Sequence, residues 1–196
     1  MSKQAKVLNE AEIKRLKAVI NDNRYAARNM TMFLLALNVG LRAKEIISLK
    51  VGDVLNDDLQ VRDMCVLAKE QTKRNEANRI FFNTVVRKQL AKYFDDDACK
   101  HLKHKKDSTV FLTKNNKAFT TNSFVDLFSK LFKLADIQQA STHSMRRTFA
   151  TTLANNATSV FAIQKLMRHK NISTTQLYVS VTDTQLVNAT NNLKLG

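Results

Sequence analysis

Basic side chains at two predicted helix starts could bind an anion such as a phosphate group. Arg42 follows Gly40 at a helix junction, and Arg146 lies three residues after His143 in the stretch HSMRRTFATTL. A guanidinium group can bind two phosphate oxygens at once, and a helix N-terminus presents backbone N–H groups to the same anion. Either arginine alone is more often an ordinary surface residue, so the interpretation depends on the whole set.

Glu45 lies three residues after Arg42, on the same face of a predicted helix. Its carboxylate could pair with Arg42 and orient the guanidinium group. An ordinary surface ion pair would have the same spacing, and the sequence does not separate the two interpretations.

Two histidines and a tyrosine add groups that could move protons or attack an ester. His143 and His169 lack a third ligand at zinc spacing, and no carboxylate cluster joins them, so proton transfer and hydrogen bonding to a phosphate suit them better than a metal. Tyr178 lies nine residues after His169 (178 − 169). A tyrosine there is normally a packing residue. Its hydroxyl can also act as a covalent nucleophile, provided that cations stabilise the transition state and an acid protonates the leaving hydroxyl.

The charge balance indicates a polyanionic partner. The 196 residues include 32 Lys+Arg and 17 Asp+Glu, which gives a net charge of +15. Such a charge most often attracts nucleic acid, although it can also serve solubility alone. The hydrophobic content of 44% suffices for one globular domain with a core and barely for two.

The N-terminal and cysteine patterns indicate a cytoplasmic protein. The first twenty residues are charged throughout, which excludes a secretory signal, and no apolar run approaches the length of a membrane span. Cys65 and Cys99 form no CxxC pair, so we interpret them as reduced thiols rather than as a disulfide or a metal site.

Hydrophobic spacing predicts a mainly helical fold. Asn9 and Glu12 form a capping-box signal before a first helix, and Gly40 supplies the stop of the second. Asn83 is predicted to cap a helix that runs through Phe94. One later helix carries an apolar stripe that we assign to the core rather than to base stacking: Phe124, Leu127, Phe128, Leu131 and Phe132.

Two β-prone runs, near Leu59–Leu67 and Asn78–Phe82, flank a polar connection and predict a β-hairpin with a lysine-bearing turn. The run TVFLT, residues 109–113, predicts a further short strand at a sheet edge. The predicted fold class is therefore mainly α (α+β), a helical domain with a small antiparallel three-stranded sheet. No alternation of βαβ units is present, so a Rossmann or P-loop fold is not indicated.

Three ordered motifs resemble the catalytic domain of the tyrosine recombinases, the phage-integrase family: GLRAKEIISLKVGDV, HSMRRTFATTL and LMRHKNISTTQLYV. The family pattern is G-L-R-x-x-E, then H-x-L-R-H/R-x-x-A-T, then L-G-H-x-x-x-x-T-T-x-x-Y. The interval of 23 residues from Arg146 to His169 (169 − 146) is also usual for the family. By this resemblance Arg42, Arg146 and His169 stabilise negative charge, Glu45 accompanies Arg42, His143 assists proton transfer and Tyr178 is the nucleophile.

The family also carries a catalytic lysine in a β-hairpin turn. The resemblance assigns this role to Lys73 in EQTKRNEANRIFF, seven residues before Ile80, with Lys69 as the alternative.

Three departures from the family pattern leave the catalytic residues in place. Met145 stands for a leucine, Arg168 for the glycine before His169, and Phe81 for a frequent proline.

The resemblance implies a site-specific recombinase that needs no metal or other cofactor. Such an enzyme cleaves and rejoins DNA at specific sites through a 3′-phosphotyrosine intermediate and a Holliday junction, in integration, excision or inversion, often for a mobile element. It works as a homotetramer on DNA, in some cases with DNA-bending accessory proteins. Residues 183–196 could be the C-terminal segment that docks on a neighbouring subunit, or an ordinary frayed terminus.

About forty residues precede Arg42, and they are predicted to form the first helices of a single catalytic domain over residues 1–196. Short fimbrial recombinases without a core-binding domain resemble the chain in this respect, and a longer protein cut to this domain would do so equally.

Two other functions explain part of the pattern. A type IB topoisomerase uses similar chemistry, and a non-catalytic DNA-binding regulator accounts for the charge but not for the ordered motifs.

Overall fold

The computed structural model describes residues 4–71, 78–97 and 99–178, together with residues 187, 190 and 191. The chain divides into two compact units, residues 1–149 and residues 150–196. The assignment of residues 1–196 to one catalytic domain stays a prediction.

Helices make up most of the described part of both units. In the first unit they are α1 Glu10–Asn21, α2 Ala26–Asn38, α3 Ala43–Ile47, α4 Val51–Val54, α5 Thr84–Asp95, α6 Thr121–Leu134 and most of α7 Thr142–Asn155. The second unit contains the end of α7, then α8 Val160–Met167 and α9 Ile172–Gln176. Two 3₁₀ turns span Lys69–Gln71 and Lys100–Leu102.

The predicted helix caps are present. The Asn9 side chain accepts a hydrogen bond from the Glu12 N–H at 2.9 Å, and the Glu12 carboxylate accepts from the Asn9 N–H at 3.0 Å. The capping box at the start of α1 is therefore confirmed. Asn83 likewise caps α5 by accepting from the Val86 N–H at 3.0 Å. Each contact satisfies an N–H group that the first turn of a helix leaves without an intrahelical partner.

The core of the first unit surrounds α2 and one face of α6. Residues 28–36 of α2 are all buried, as expected for a helix enclosed on every side. The apolar stripe of α6 is confirmed as core, since its aromatic rings are too deeply buried to stack on a base. Four of its members are at most 2% exposed, and the fifth is partly buried against the core: Phe124, Phe128, Leu131, Phe132 and, partly buried, Leu127.

The predicted β-hairpin is confirmed in its two strands. β1 Met64–Leu67 pairs antiparallel with β2 Asn78–Phe81, in a register that sets Met64 opposite Phe81. Within the described ranges the sheet has two strands, so the prediction of three is wrong. Residues 109–113 make only isolated bridges, from Thr109 to Lys50 and from Leu112 to Ala118.

The segment of residues 109–113 is not a strand of the sheet because other partners take its main-chain groups. The Val110 N–H donates to the Leu49 carbonyl at 2.8 Å, and the Val110 carbonyl accepts from the Tyr93 hydroxyl at 2.7 Å. The Leu112 carbonyl accepts from Arg28 Nη1 at 2.8 Å. The sequence of a short buried apolar run does not show whether its main chain bonds to a neighbouring strand or to side chains such as these.

The segment before α1 is fixed to α7 by a buried hydrogen bond. The Leu8 N–H donates to Thr148 Oγ1 at 2.8 Å, and this hydroxyl donates to the Ser144 carbonyl at 2.8 Å. Leu8 and Thr148 are 3% and 5% exposed. The segment before α1 is therefore attached to the helix that carries the HSMRR motif.

Among the described residues, no helix is both long and apolar enough for a membrane crossing.

A Thr148→Val substitution tests this anchor, because valine has the same shape and a similar helix propensity. It leaves the buried Leu8 N–H without an acceptor, so we expect the free energy of unfolding to fall by about 1–3 kcal/mol in urea titrations. Thr148→Ser keeps the hydroxyl and should lose less. Equal stability of wild type and Thr148→Val would show that the bond does not anchor the segment.

Candidate active site

Arg42 and Glu45 form a partly buried ion pair at the start of α3. Arg42 is the N-cap residue, with an extended backbone at φ −79° and ψ 156°. The Glu45 carboxylate accepts from the Arg42 backbone N–H and from its Nη1, both at 2.8 Å. The Glu45 side chain is 1% exposed and the Arg42 side chain 21%. The pair is therefore not an ordinary surface pair, and Glu45 fixes the guanidinium group at a helix N-terminus, where an anion is favoured.

Arg146 is held by the turn that leads to Arg42. Helix α2 ends at Asn38, and Gly40 turns the chain with φ 65°, a value that L-residues rarely adopt. The buried Arg146 guanidinium donates through Nη1 to the Gly40 carbonyl, 106 residues away in sequence. The GLR and HSMRR motifs therefore meet in the first unit: the GLR motif supplies the main-chain carbonyl and the HSMRR motif supplies the arginine side chain.

His143 lies in the first turn of α7, one helical turn before Arg146. Its side chain is exposed, whereas Ser144 and Met145 are fully buried. Residues three apart share a helix face, so His143 and Arg146 project on the same side of α7. Met145 fills the core position that the family pattern gives to leucine.

In the second unit, a buried threonine orients His169. The imidazole Nδ1 lies 2.9 Å from Thr175 Oγ1, and Thr175 is fully buried. The Gln164 amide donates to the His169 carbonyl at 3.1 Å and to the Lys170 carbonyl at 3.2 Å. Both the ring and the backbone of His169 are therefore fixed. The hydrogen bond at Nδ1 fixes the orientation of the ring and leaves Nε2 as the nitrogen that does not contact Thr175.

Tyr178 follows α9 closely and lies beside His169. The two rings are stacked, with centroids 6.0 Å apart and planes 24° from parallel. The Tyr178 N–H donates to the Thr175 carbonyl at 2.9 Å, so Thr175 contacts both residues, through its side chain and its main chain. The tyrosine itself is partly buried.

Tyr93 has the features of a structural tyrosine and not of a nucleophile. It is 1% exposed, and its hydroxyl donates to the Val110 carbonyl at 2.7 Å. Burial raises the pKa of this hydroxyl well above its usual value. Tyr93 therefore cannot reach a substrate and would not ionise near neutral pH.

The residue before His169 adopts the left-handed conformation. Arg168 ends α8 with φ 53° and ψ 46°, and its N–H donates to the Lys165 carbonyl at 3.1 Å. This conformation costs an L-residue about 1–2 kcal/mol relative to glycine. Glycine, which the family pattern has at this position, adopts this conformation without that cost.

Of the two candidate lysines, Lys69 is among the described residues and Lys73 is not. Lys69 opens the 3₁₀ turn after β1, and its side chain is exposed. Lys73, the assignment favoured from the sequence, lies outside the described residues. The choice between the two stays a prediction.

The site residues fall into two sets, one in each unit. Arg42, Glu45, His143 and Arg146 belong to the first, and His169 and Tyr178 to the second. Sequence reasoning gave no role to Thr175, although the paired threonines of the third motif were a usable signal. Across the described ranges, no group of three or more His, Cys, Asp or Glu side chains could hold a metal ion.

Comparison with known proteins gives an independent result. Residues 6–185 match the phage integrase family. The tyrosine recombinase XerC of Caldanaerobacter subterraneus subsp. tengcongensis is 30% identical over 178 residues, which cover 89% of this chain and 47% of that protein. The tyrosine recombinase XerA of Thermococcus kodakarensis is 30% identical over 196 residues, or 97% of this chain and 63% of that protein. The chain thus spans about half to two thirds of the length of these relatives.

Solved structures share the fold. A crystal structure of XerA recombinase superposes with a TM-score of 0.75 at 24% identity, over 99% of this chain and 68% of the other. The Tn1549 transposon integrase, solved in complex with circular intermediate DNA, gives 0.75 at 19% identity, over 98% of this chain and 67% of the other. The catalytic domain of bacteriophage HP1 integrase gives 0.67 at 17% identity, over 98% and 97%. At these identities the likeness shows a common fold, mainly helical with a small antiparallel sheet.

A Thr175→Val substitution should release the His169 ring. In the wild type we expect nitrogen-15 NMR to show a His169 Nδ1 signal displaced from that of a free imidazole, because Nδ1 is hydrogen-bonded to Thr175. In Thr175→Val this signal should move toward the value of an imidazole without the hydrogen bond. Thr174→Val, at the exposed neighbouring position, is the matched control and should leave the spectrum unchanged. An unaltered spectrum of Thr175→Val would contradict the assignment.

Proposed function

The chain belongs to the phage integrase family, and we propose that it is a site-specific DNA recombinase that cleaves and rejoins DNA through a 3′-phosphotyrosine. The observation that carries the proposal is the junction of the two arginine motifs. The Arg146 guanidinium donates to the Gly40 carbonyl, two residues before Arg42. The Gly40 carbonyl holds one guanidinium group and the Glu45 carboxylate holds the other. Two guanidinium groups held in this way suit an anionic oxygen ligand, and a DNA phosphodiester is such a ligand.

Phosphate binding is the first proposed step. Arg42 and Arg146 donate to the nonbridging oxygens of the scissile phosphate, and His169 adds a further donor. Negative charge accumulates on these oxygens when the phosphorus becomes five-coordinate. Donors that are already fixed lower the barrier because they need no reorganisation during the reaction. Glu45 contributes indirectly, since its carboxylate accepts one hydrogen bond from the Arg42 guanidinium group and one from the Arg42 backbone N–H, both at 2.8 Å.

Strand cleavage is the second step. The Tyr178 hydroxyl oxygen attacks the phosphorus and forms the tyrosyl ester, while the bond from phosphorus to the 5′ oxygen breaks. The electron pair of that bond stays on the 5′ oxygen, which takes a proton from the lysine of the hairpin turn. His143 assists removal of the tyrosine proton. The product is a 3′-phosphotyrosyl strand and a free 5′-hydroxyl strand.

Strand exchange follows from the reversibility of this ester. The phosphotyrosine retains the energy of the broken diester, so a 5′-hydroxyl of a second duplex can attack it without metal or nucleotide. One round of exchange makes a Holliday junction, and a second round resolves it. Integration, excision and inversion use the same chemistry and differ in the arrangement of the recombination sites, as in mobile elements.

The net charge of +15 supports a DNA substrate. Contacts between basic side chains and phosphates release counterions, so we expect affinity to fall steeply as salt rises. Most of these contacts should position the duplex and carry no sequence information. We further propose that it acts in the cytoplasm.

Assembly on DNA is part of the same proposal. Two duplexes with four cleavage sites need four tyrosines, so the active species is a homotetramer, in some reactions with DNA-bending accessory proteins. Residues 183–196 are the proposed exchange segment. All of them except 187, 190 and 191 lie outside the described residues, and Val187 is 55% exposed.

A Tyr178→Phe substitution tests the nucleophile on DNA with a nick next to the cleavage site, which traps the covalent product. The wild type should give a slow-migrating protein–DNA adduct on a denaturing gel, and the variant none, because phenylalanine has no attacking oxygen. Tyr25→Phe is the matched control and should retain the adduct. Tight binding to a confirmed target without any adduct would favour a non-catalytic regulator.

The two lysines can be separated with a sulfur leaving group. A 5′-bridging phosphorothioate leaves as a thiolate, which needs no proton because its conjugate acid is far stronger than an alcohol. Alanine at the catalytic lysine should slow cleavage of ordinary DNA by about 10²–10⁴-fold and leave cleavage of the sulfur substrate near the wild-type rate. We expect this pattern for one of Lys73→Ala and Lys69→Ala. If neither variant shows it, a hairpin lysine is not the acid.

A further inference from the structure

Gln71 links the turn after β1 to main chain that follows α3. Its amide nitrogen donates to the Ser48 carbonyl at 2.8 Å and to Asp53 Oδ2 at 2.6 Å. Its amide oxygen accepts from the Ala68 N–H at 2.7 Å. Gln71 is 8% exposed, so a buried side chain uses both amide hydrogens and its oxygen on partners that lie 3, 18 and 23 residues away.

Ser48 strengthens this link from the other side. Its hydroxyl oxygen lies 3.2 Å from the Gln71 main-chain carbonyl and 3.1 Å from the Glu45 main-chain carbonyl, so its single O–H can donate to either. Ser48 is the C-cap residue of α3, and Arg42 is the N-cap residue of the same helix. The turn Lys69–Gln71 is thus joined to the C-terminal end of α3, the short helix that has Arg42 at its N-terminus.

Asp53 makes the link stiffer than a neutral contact would. Its Oδ2 accepts from Gln71 and also from the Lys50 N–H, at 2.8 Å, at the start of α4. Hydrogen bonds to an ionised carboxylate are shorter and stronger than those between neutral groups. The Gln71 side chain therefore connects the turn after β1 to the end of α3 and to the start of α4.

We propose that Gln71 is a positioning residue for strand cleavage, one that holds the lysine-bearing turn against α3 and so sets the proton donor relative to Arg42. The inference rests on the proposed recombinase function. The described turn bears Lys69, and Lys73 follows Gln71 by two residues in sequence. The experiment varies the leaving atom and does not depend on which lysine is the proton donor. Gln71 does not act on the substrate. It acts through the lysine that gives its proton to the 5′ oxygen when the bond from phosphorus to that oxygen breaks.

The experiment compares the wild type and Gln71→Met on two nicked substrates, ordinary DNA and DNA with sulfur at the 5′ bridging position. Methionine has a similar volume but makes none of the three hydrogen bonds. We expect Gln71→Met to cleave ordinary DNA about 10²-fold more slowly, the loss that a misplaced catalytic group causes. Cleavage of the sulfur substrate should stay within a few-fold of the wild type, because a thiolate leaves without a proton. DNA binding should be unchanged.

Two further variants keep the result interpretable. Gln138→Met changes an exposed glutamine and should behave as the wild type on both substrates. Ser48→Ala removes the hydroxyl contacts to the main-chain carbonyls of Gln71 and Glu45 but keeps all three hydrogen bonds of the Gln71 side chain. It should therefore give a smaller loss with the same dependence on the leaving atom, and it carries the test if Gln71→Met does not fold.

Two outcomes would overturn the inference: equal rates for wild type and folded Gln71→Met on ordinary DNA, or a loss of the same size on both substrates. Failure of the proposed function looks different. In that case the wild type itself forms no tyrosine-linked adduct with either substrate on a confirmed target.

Discussion

The hydrogen bond from the Arg146 guanidinium to the Gly40 carbonyl is the contact on which the proposed phosphate site depends. It joins the start of α7 to the turn between α2 and α3, and Arg42 follows that turn by two residues. The turn exists because Gly40 adopts φ 65°, which a side chain would oppose. A buried guanidinium needs such an acceptor, since burial of a charged group without hydrogen bonds is costly. The same contact therefore stabilises the fold and sets the spacing of two cations.

The rest of the first unit keeps this junction rigid. Helix α2 is buried along residues 28–36, so the turn at its end cannot shift without disturbing the core. Glu45 fixes Arg42 from within α3, and the link through Gln71 and Ser48 ties the turn after β1 to the other end of that helix. In the second unit, Thr175 holds the His169 ring through its hydroxyl and the Tyr178 backbone through its carbonyl. Side-chain hydrogen bonds thus hold Arg42, Arg146 and His169 in place, whichever element carries them.

The parts predictable from the sequence are those set by local rules. The caps at Asn9 and Asn83 follow from side chains three residues from their partners, and the arginine, histidine and tyrosine set follows from ordered motifs. The strand count was not predictable, because the Tyr93 hydroxyl and the Arg28 guanidinium pair with residues 109–113 from distant points in the chain. The roles of Gln71 and Thr175 were missed for related reasons. Gln71 contacts residues up to 23 positions away. The third motif marks Thr175, but the spacing does not show that its hydroxyl contacts His169, six residues before it.

The central claim is that Arg146 neutralises the scissile phosphate in addition to holding Gly40, and a substrate with a neutral methylphosphonate at the scissile position tests it most directly. The measurement is formation of the tyrosine-linked adduct by Arg146→Ala on ordinary DNA and on the methylphosphonate. If the arginine supplies charge, the variant should be inactive on ordinary DNA and regain cleavage on the neutral substrate, where no such charge is required. If Arg146 serves only as a structural tie to Gly40, the variant would fail on both substrates, and that result would contradict the account.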